Sequence, residues 1–220
     1  NRIIGGVTPN CVEAGKRVYS TFVKGELIET NARTAEMSKL MENTYRDLNI
    51  ALANEITKIS NHLDINVLDV IEMANKHPRV NIHSPGPGVG GHCLAVDPYF
   101  IIAKDPEHSP LIQTGRKVNR SMPHYVVEHV KRILSGINHA KIAVFGLTYK
   151  GDVDDIRESP ALDIYHLLQE ENFEVTAYDP HVELDFVERD INKATEDASL
   201  VLILSDHSEF KELSDDDFKL

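Results

Sequence analysis

The sequence predicts an α/β protein in which a central helical segment is followed by a doubly wound parallel sheet. Two patterns support this fold class. The stretch from Thr34 to about His62 contains neither Gly nor Pro, which favours a single long helix. Beyond residue 140, short apolar runs alternate with helical segments, as in parallel sheets built from βαβ units. With 220 residues and 41% hydrophobic content, the chain can bury one large core or two modest ones.

The pattern of residues 1–31 predicts that this segment is the end of another domain. They contain a glycine turn at Gly5 and Gly6, a short helix near 10–20 capped by Asn10, and a strand-like segment at Gly25–Thr30. The chain begins without Met, so we expect it to be a piece of a longer protein, with these residues as the remnant of a preceding domain.

The long helix carries an apolar stripe when its residues are projected at 100° per residue. We expect this stripe to face either the core or a second copy of the chain. It consists of Met37, Leu40, Met41, Leu48, Leu52 and Ile59.

The opposite arc of the same helix is mostly polar. Lys39 and Asn43 lie one turn apart, so their polar ends can converge on one point. Solvation is the ordinary interpretation of such a row, but Asn is a poor choice for a purely solvent-facing helix position, which argues against it. The row comprises Glu36, Lys39, Asn43, Asp47, Ile50 and Asn54.

Shorter helices are predicted after the long one. The first covers Val67–Asn75, and the loop behind it contains Arg79, a candidate clamp for a phosphate or carboxylate. Further helical patterns start at Pro98 and cover Leu111–Arg120, and Pro123 opens another over about 124–134.

Three short apolar segments near the C-terminus predict the parallel strands, at 141–146, 174–180 and 199–204, with a helix at Leu162–Glu170 between the first two. Ligands of such sheets bind at the carboxyl ends of the strands. The loop after the first strand carries Tyr149 and Lys150, and Ser159 is a predicted N-cap before Pro160, so an anion is the expected ligand. A Gly-x-Gly-x-x-Gly fingerprint is absent, and a purely structural role for this sheet stays open.

The chemistry is predicted to lie in the glycine-rich segment from Gly86 to Tyr99. Four glycines in six residues allow a ligand to approach the backbone closely, and Cys93 follows them after His92. A reactive thiol is one interpretation of this cysteine and an inert core residue is the other. A metal site formed by His92, Cys93 and Asp97 is a third, although a second ligand pair at zinc-like spacing is missing.

Composition excludes several classes of function. A formal net charge of −12 argues against nonspecific binding to nucleic acid or anionic membranes. The two cysteines, Cys11 and Cys93, stand in dissimilar settings, so a disulfide framework is not expected. Because the sequence contains neither a membrane-length apolar run nor a signal peptide, we expect a cytoplasmic protein.

The cysteine loop, the Lys39/Asn43 helix and the Lys150 loop occur in one order along one chain, and together they resemble the UDP-glucose/GDP-mannose dehydrogenase family over essentially all 220 residues. The resemblance implies an NAD-binding Rossmann domain with residues 1–31 as its remnant. It further implies a central helical dimerisation domain at 32–123 and a Rossmann-like UDP-binding domain at 124–220, incomplete at its end. The segment Gly86–Tyr99 is most similar to the branch that oxidises UDP-N-acetylhexosamines, UDP-N-acetylmannosamine in particular.

The resemblance also implies roles for individual residues. Cys93, Lys39, Asn43 and Asp97 match catalytic positions of the family. Tyr149, Lys150, Arg79 and Gly90 match positions that contact the nucleotide sugar, with Arg79 contributed across a homodimer, and Arg157 matches a position that reaches NAD. No metal is expected.

The implied reaction oxidises a sugar C6 hydroxyl to a carboxylate with two NAD, through a thiohemiacetal and a thioester on Cys93. In the family this serves uronate supply for polysaccharides such as capsule. Two alternatives stay open. The chain could be a UDP-sugar-binding and dimerisation module without catalysis of its own, or a cysteine-dependent transferase or hydrolase, for which a paired His/Asp constellation of convincing spacing is lacking.

Overall fold

The computed structural model describes residues 1–214, in which a mixed α/β architecture with parallel sheets confirms the predicted fold class. The sequence also carries a short acidic run at 214–217, which lies outside the described range from residue 215 onward. Within the described residues, no helix combines the length and the apolar character needed to cross a bilayer.

The N-terminal residues form a small parallel sheet and one helix. Strand β1 (Arg2–Gly6) pairs with β2 (Leu27–Asn31), and helix α1 (Pro9–Tyr19) joins them. The predicted glycine turn is wrong, because Gly5 and Gly6 end β1. A Cβ on Gly5 would lie 2.4 Å from the side chain of Ala35, so this glycine allows close packing against the long helix.

The predicted cap of α1 is also displaced. Thr8, not Asn10, is the N-cap, and its side chain accepts a hydrogen bond from the Cys11 backbone N–H. Pro9 occupies the first turn, where a missing N–H costs nothing, and this moves the start of the helix ahead of Asn10.

Five helices follow, and their predicted positions are confirmed to within a few residues. Asn31 caps the first of them by accepting a hydrogen bond from the Thr34 N–H. The helices are α2 (Ala32–His62), α3 (Val67–Asn75), α4 (Asp97–Lys104), α5 (Pro110–Arg120) and α6 (Met122–Ile133), and α2 packs mainly against α5 and α4.

Helix α2 buries the middle of its polar row, so the solvated interpretation is wrong for Asn43, Asp47 and Asn54. Glu36 and Lys39 of the same row are exposed. Asn43 is 6% exposed, and Asp47 and Asn54 are fully buried. The core interpretation of the apolar stripe is wrong as well, because Met37 and Leu52, at 46% and 51% exposure, represent a stripe that is largely open in this chain. The helix therefore turns amides and a carboxylate toward the rest of the protein, and from the apolar stripe Leu48 packs against Gly115 of α5.

A buried ion pair lies at the centre of this polar face. Arg116 of α5 donates to the Asp47 carboxylate at 2.6 Å, and Asn119 donates to the same oxygen at 2.8 Å. Burial raises the pKa of Asp47, while the charge and hydrogen bond of Arg116 oppose that rise. Asn54 donates to Asn119 at 3.0 Å, which extends the network along α2.

Two asparagines of α2 hold the segment that leads to Cys93. The Asn54 side-chain oxygen accepts the Gly86 N–H at 2.9 Å. One turn earlier, Asn49 donates to the Asn81 carbonyl at 3.0 Å and accepts the His83 N–H at 2.9 Å. These bonds satisfy backbone groups of a segment that has no secondary structure of its own.

The C-terminal sheet is parallel, with strand order β5-β4-β3-β6. Its elements are β3 (Lys141–Phe145), α7 (Pro160–Glu170), β4 (Glu174–Tyr178), β5 (Val187–Glu188), α8 (Ile191–Thr195), β6 (Leu200–Ile203) and a 3₁₀ turn (Ser208–Glu212). The sequence analysis did not predict β5, α8 or the 3₁₀ turn. The order reverses at β3, and the crevice at such a reversal is the usual ligand site of doubly wound sheets.

Both faces of this sheet are covered. On one face Ile164 and Leu168 of α7 are fully buried with Val144 of β3 and residues of α6. On the other, Phe145 packs with Ala194 of α8 and Phe210. The Ile142-to-Phe145 run is fully buried, which explains why the strand is apolar without alternation.

The glycine loop packs closely against the C-terminal domain. A Cβ on Gly90 would lie 2.3 Å from the Glu158 carbonyl oxygen, and one on Gly91 would lie 2.8 Å from the Tyr149 ring. The Gly91 N–H donates to the Arg157 carbonyl at 3.1 Å. These two glycines are thus required by contacts within the chain itself, in addition to any ligand contact.

We predict that Asp47→Ala destabilises the protein by about 3–5 kcal/mol, because it leaves the Arg116 charge buried without its partner. Urea unfolding followed by circular dichroism measures the effect. Glu36→Ala, at an exposed position of the same helix, is the matched control and should change stability by less than about 0.5 kcal/mol. Equal stability of the two variants would contradict the assigned role of the ion pair.

We predict that Gly90→Ala displaces the glycine loop and costs about 1–3 kcal/mol, because the new methyl group meets backbone that cannot yield. Gly86→Ala is the control in the same loop, since the nearest atom to its Cβ is 4.0 Å away. Thermal unfolding and limited proteolysis of the loop should separate the two. A tolerated Gly90→Ala would show that the loop does not pack as described.

Candidate active site around Cys93

The exposed thiol of Cys93 opens into a cavity of about 450 Å³ between α2, the glycine loop and the loop after β3. Its lining brings together residues that are far apart in sequence: Asn43, Arg46, Ile50, Gly88 to Leu94, Tyr149, Lys150, Asp155 and Arg157. A larger cavity of about 550 Å³, also lined by Gly88 and Val89, does not include Cys93 in its lining. The smaller cavity is the candidate site because it combines the thiol with cationic side chains.

Cys93 sits in a turn that fixes its backbone. Its carbonyl oxygen accepts the N–H groups of Val96 and Asp97 at 3.0 and 2.8 Å, where α4 begins. The Sγ atom lies 3.5 Å from Nδ1 of His92. Since the side chain is exposed, the interpretation of Cys93 as an inert core residue is wrong.

Asp97 and Asn43 are brought together. The Asn43 side-chain amide donates to the Asp97 carboxylate at 2.5 Å, which joins α2 to the first residue of α4. This bond fixes the orientation of the amide, because Asn43 is almost completely buried. Asp97 therefore acts on the position of Asn43 in this structure.

Tyr149 and Lys150 reach the cavity on a loop held by buried hydrogen bonds. The Leu147 N–H donates to the Asp179 carboxylate at 2.7 Å, and the Thr148 hydroxyl donates to the Lys150 carbonyl at 2.7 Å. Lys150 makes no ion pair within residues 1–214, so its ammonium group is available to an anion.

His207 completes the support of this loop. It is fully buried, and its Nδ1 accepts the Asp152 N–H at 2.9 Å while Nε2 lies 3.2 Å from the Asp179 carboxylate. Sequence analysis missed both His207 and Asp179, whose signal was their position at the carboxyl ends of strands, Asp179 directly after β4 and His207 in the loop after β6.

Arg157 lines the cavity with part of its guanidinium already engaged. It donates to the Asp155 carboxylate through Nε at 2.9 Å and Nη2 at 2.6 Å. Mainly through these side-chain hydrogen bonds, Arg157 lowers the pKa of Asp155 to about 2, and the nearby His92 charge contributes in the same direction. The Nη1 group has no partner among the described residues.

The predicted cap of α7 is only partly right. Ser159 occupies the N-cap position and Pro160 the first turn, but the Ser159 hydroxyl donates to the Leu147 carbonyl at 2.7 Å and makes no side-chain cap bond. The hydroxyl thus ties the start of α7 to the loop after β3.

Lys39 and Arg79 do not line the Cys93 cavity. The Lys39 ammonium lies 3.7 Å from Glu42 and borders a separate cavity with Arg2 and Ile28. Arg79 is exposed on the loop after α3. Conversely, Arg46 lines the cavity but was not predicted from the sequence as a site residue. Its signal was its position three residues after Asn43, on the same face of the helix.

The His92, Cys93 and Asp97 set does not assemble as metal ligands in residues 1–214. A different group in the described part of the chain has its potential ligand atoms within 4.8 Å of one another. It consists of Asp152, His181, His207 and Glu209. Because both ring nitrogens of His207 already have partners, we assign this group a structural role.

Comparison with known proteins gives two adjacent matches. Residues 33–121 match the central domain of the UDP-glucose/GDP-mannose dehydrogenase family, and residues 143–219 match the UDP binding domain of the same family. The chain is 51% identical to the UDP-N-acetyl-D-mannosamine dehydrogenase of Methanocaldococcus jannaschii over 221 residues, covering all of this chain and 51% of the relative. It is 48% identical to the NDP-N-acetyl-D-galactosaminuronic acid dehydrogenase of Ralstonia nicotianae, covering 98% and 53%.

Among solved structures, the UDP-N-acetyl-mannosamine dehydrogenase of Staphylococcus aureus superposes with a TM-score of 0.91 at 77% identity, covering 99% of this chain and 52% of that one. The chain thus spans about half the length of these relatives. The two domain matches follow one another in the order of the family. Together with the sequence identities to these relatives, they agree with the family resemblance found in the sequence analysis. The chain belongs to the UDP-glucose/GDP-mannose dehydrogenase family.

Proposed function

We propose that the full-length protein oxidises the C6 hydroxyl of a UDP-N-acetylhexosamine, UDP-N-acetylmannosamine in the first place, to the uronate with two NAD. The observation that carries the proposal is the exposed Cys93 thiol in one cavity with Asn43, Lys150 and Arg157. An enzyme that oxidises an alcohol through an aldehyde to an acid needs a nucleophile that holds the aldehyde, and a thiol suits that task.

The choice of a nucleotide sugar rests on charge and on the relatives. Lys150 and Arg46 line the cavity without ion-pair partners among the described residues, although the chain as a whole carries a net charge of −12. Such cations favour a diphosphate. The N-acetyl group is proposed because the relatives above are named as dehydrogenases of N-acetyl-mannosamine and N-acetyl-galactosaminuronic acid nucleotides.

In the proposed mechanism the Cys93 sulfur adds to the C6 aldehyde and forms a thiohemiacetal. Loss of a hydride from that carbon and of the hydroxyl proton to water gives a thioester on Cys93, and attack by water then releases the carboxylate and the thiol. Asn43, oriented by Asp97, donates an N–H toward the oxyanion, where a preorganised donor stabilises the developing charge. NAD, when bound, accepts the hydride in each of the two oxidations.

Arg157 is the residue of this chain that we propose for contact with NAD. Asp155 engages its Nε and Nη2, which leaves Nη1 to donate to a ligand at the edge of the cavity. The described residues therefore fit an anionic or carbonyl group at this position.

Lys39 is proposed to hold the oxyanion or a water after moving away from Glu42. Their ion pair is exposed and long, and such pairs contribute only about 0–1 kcal/mol, so its loss costs little. Tyr149 and Gly90 stay proposed as substrate contacts in the same cavity.

The proposal includes a homodimer formed through α2. It also includes domain boundaries at 31/32 and 123/124, a cytoplasmic location, and a role in supplying uronate precursors for polysaccharides. The open apolar stripe of α2 supports the dimer, because exposed apolar patches of this kind mark interaction sites. Arg79 would then reach the substrate of the partner subunit.

We predict that Cys93→Ser in the full-length protein abolishes uronate formation but preserves UDP-sugar binding. The absorbance of NADH is followed with UDP-N-acetylmannosamine, UDP-N-acetylglucosamine and UDP-glucose offered separately, and binding is measured by calorimetry. The wild type should form two NADH per sugar with one N-acetyl substrate. Cys11→Ser, the other cysteine, is the control and should keep full turnover.

Unchanged turnover in Cys93→Ser would contradict the mechanism. UDP-sugar binding by the wild type without any NADH would favour a binding and dimerisation module instead.

A further inference from the structure

The contact between Cys93 and the preceding histidine is not explained by the roles assigned so far. We propose that His92 is a further catalytic residue, whose Nδ1 takes the proton from the Cys93 thiol before the sulfur attacks the substrate. The observation behind this is the 3.5 Å distance between Sγ and Nδ1. The inference deepens the proposed function and rests on it for the identity of the substrate.

The geometry favours His92 over the other candidate bases. Asp97 is the nearest carboxylate in sequence, but it is bonded to the Asn43 amide and stabilises that side chain. The Lys39 ammonium lies beside Glu42 in a separate cavity. His92 Nδ1 is the group within the described residues that contacts the sulfur itself, and both residues line the same cavity.

The charged neighbours are arranged to support a thiolate next to an imidazolium. Asp155 and Arg157, on the loop after β3, line the same cavity as His92 and Cys93. The cavity thus offers a carboxylate to the group that becomes positive and a guanidinium to the group that becomes negative. The other titratable groups lining the cavity are Arg46 from α2 and Tyr149 and Lys150 from the loop after β3.

The step balances without an added reagent. The S–H proton moves to His92 Nδ1, and the sulfur electron pair forms the S–C bond to the aldehyde carbon. The C=O π pair moves to oxygen, which then takes the proton back from the imidazolium. The product is a neutral thiohemiacetal and a neutral His92, and nothing is oxidised in this step.

Alkylation of the thiol tests this proposal without NAD or UDP-sugar. The full-length protein is treated with iodoacetamide between about pH 5 and 10, and the modification of Cys93 and Cys11 is followed by peptide mass spectrometry. Cys11 is exposed and contacts Thr8, not a histidine, so it is an internal reference. The variants are His92→Gln and His92→Ala, and His62→Gln, an exposed histidine at the end of α2, is the control.

We expect the wild-type Cys93 rate to stay high near neutral pH. In His92→Gln the rate at about pH 7 should fall about tenfold and rise only as an ordinary thiol ionises near 8.5, with Cys11 unchanged. Added imidazole should restore part of the rate in His92→Ala. His62→Gln should match the wild type.

Superimposable Cys93 profiles in the wild type and both His92 variants would overturn the proposal. So would a loss that Cys11 shares, because it would report a general change of structure. Since the assay involves no redox chemistry, its outcome is independent of whether Cys93→Ser stops uronate formation.

Discussion

The ion pair between Asp47 and Arg116 is the contact on which the rest of the central region depends. Two charges removed from water must face one another, and this requirement points the polar side of α2 toward α5. Asn54 lies on this side of α2 and Asn49 lies outside it, and both side chains bond the segment before Cys93. The apolar side of α2 is consequently turned outward, where a second copy of the chain is proposed to cover it.

The C-terminal domain supplies the other wall of the cavity for topological reasons. Strand order reverses at β3, so the loop after β3 lies in the crevice where ligands of doubly wound sheets bind. Buried bonds from Asp179 and His207 fix that loop and so place Lys150. The close approach of Gly90 to the Glu158 backbone joins this wall to the cysteine loop.

Local patterns in the sequence predicted the long helix, Val67–Asn75 and the three main strands, because each is encoded by periodicity or by a short apolar run. The orientation of α2 was not predictable, since periodicity finds two faces without saying which one the chain itself covers. The buried partners of Asp47 lie about seventy residues away, beyond any local pattern. Of the site, Cys93, Asn43, Lys150 and Arg157 were anticipated by resemblance, whereas the placement of Lys39 at a separate cavity and of Arg46 at this one depends on three-dimensional packing.

Hydrogen–deuterium exchange of the full-length protein and its Asn49→Ala/Asn54→Ala variant tests most directly whether these two side chains of α2 fix the segment before Cys93. The amides of His83 and Gly86 donate to these two side chains, so their exchange reports the bonds themselves. The account predicts faster exchange over 82–91 in the variant, with the strands of the C-terminal sheet unchanged. Equal exchange of that segment in both proteins would contradict it.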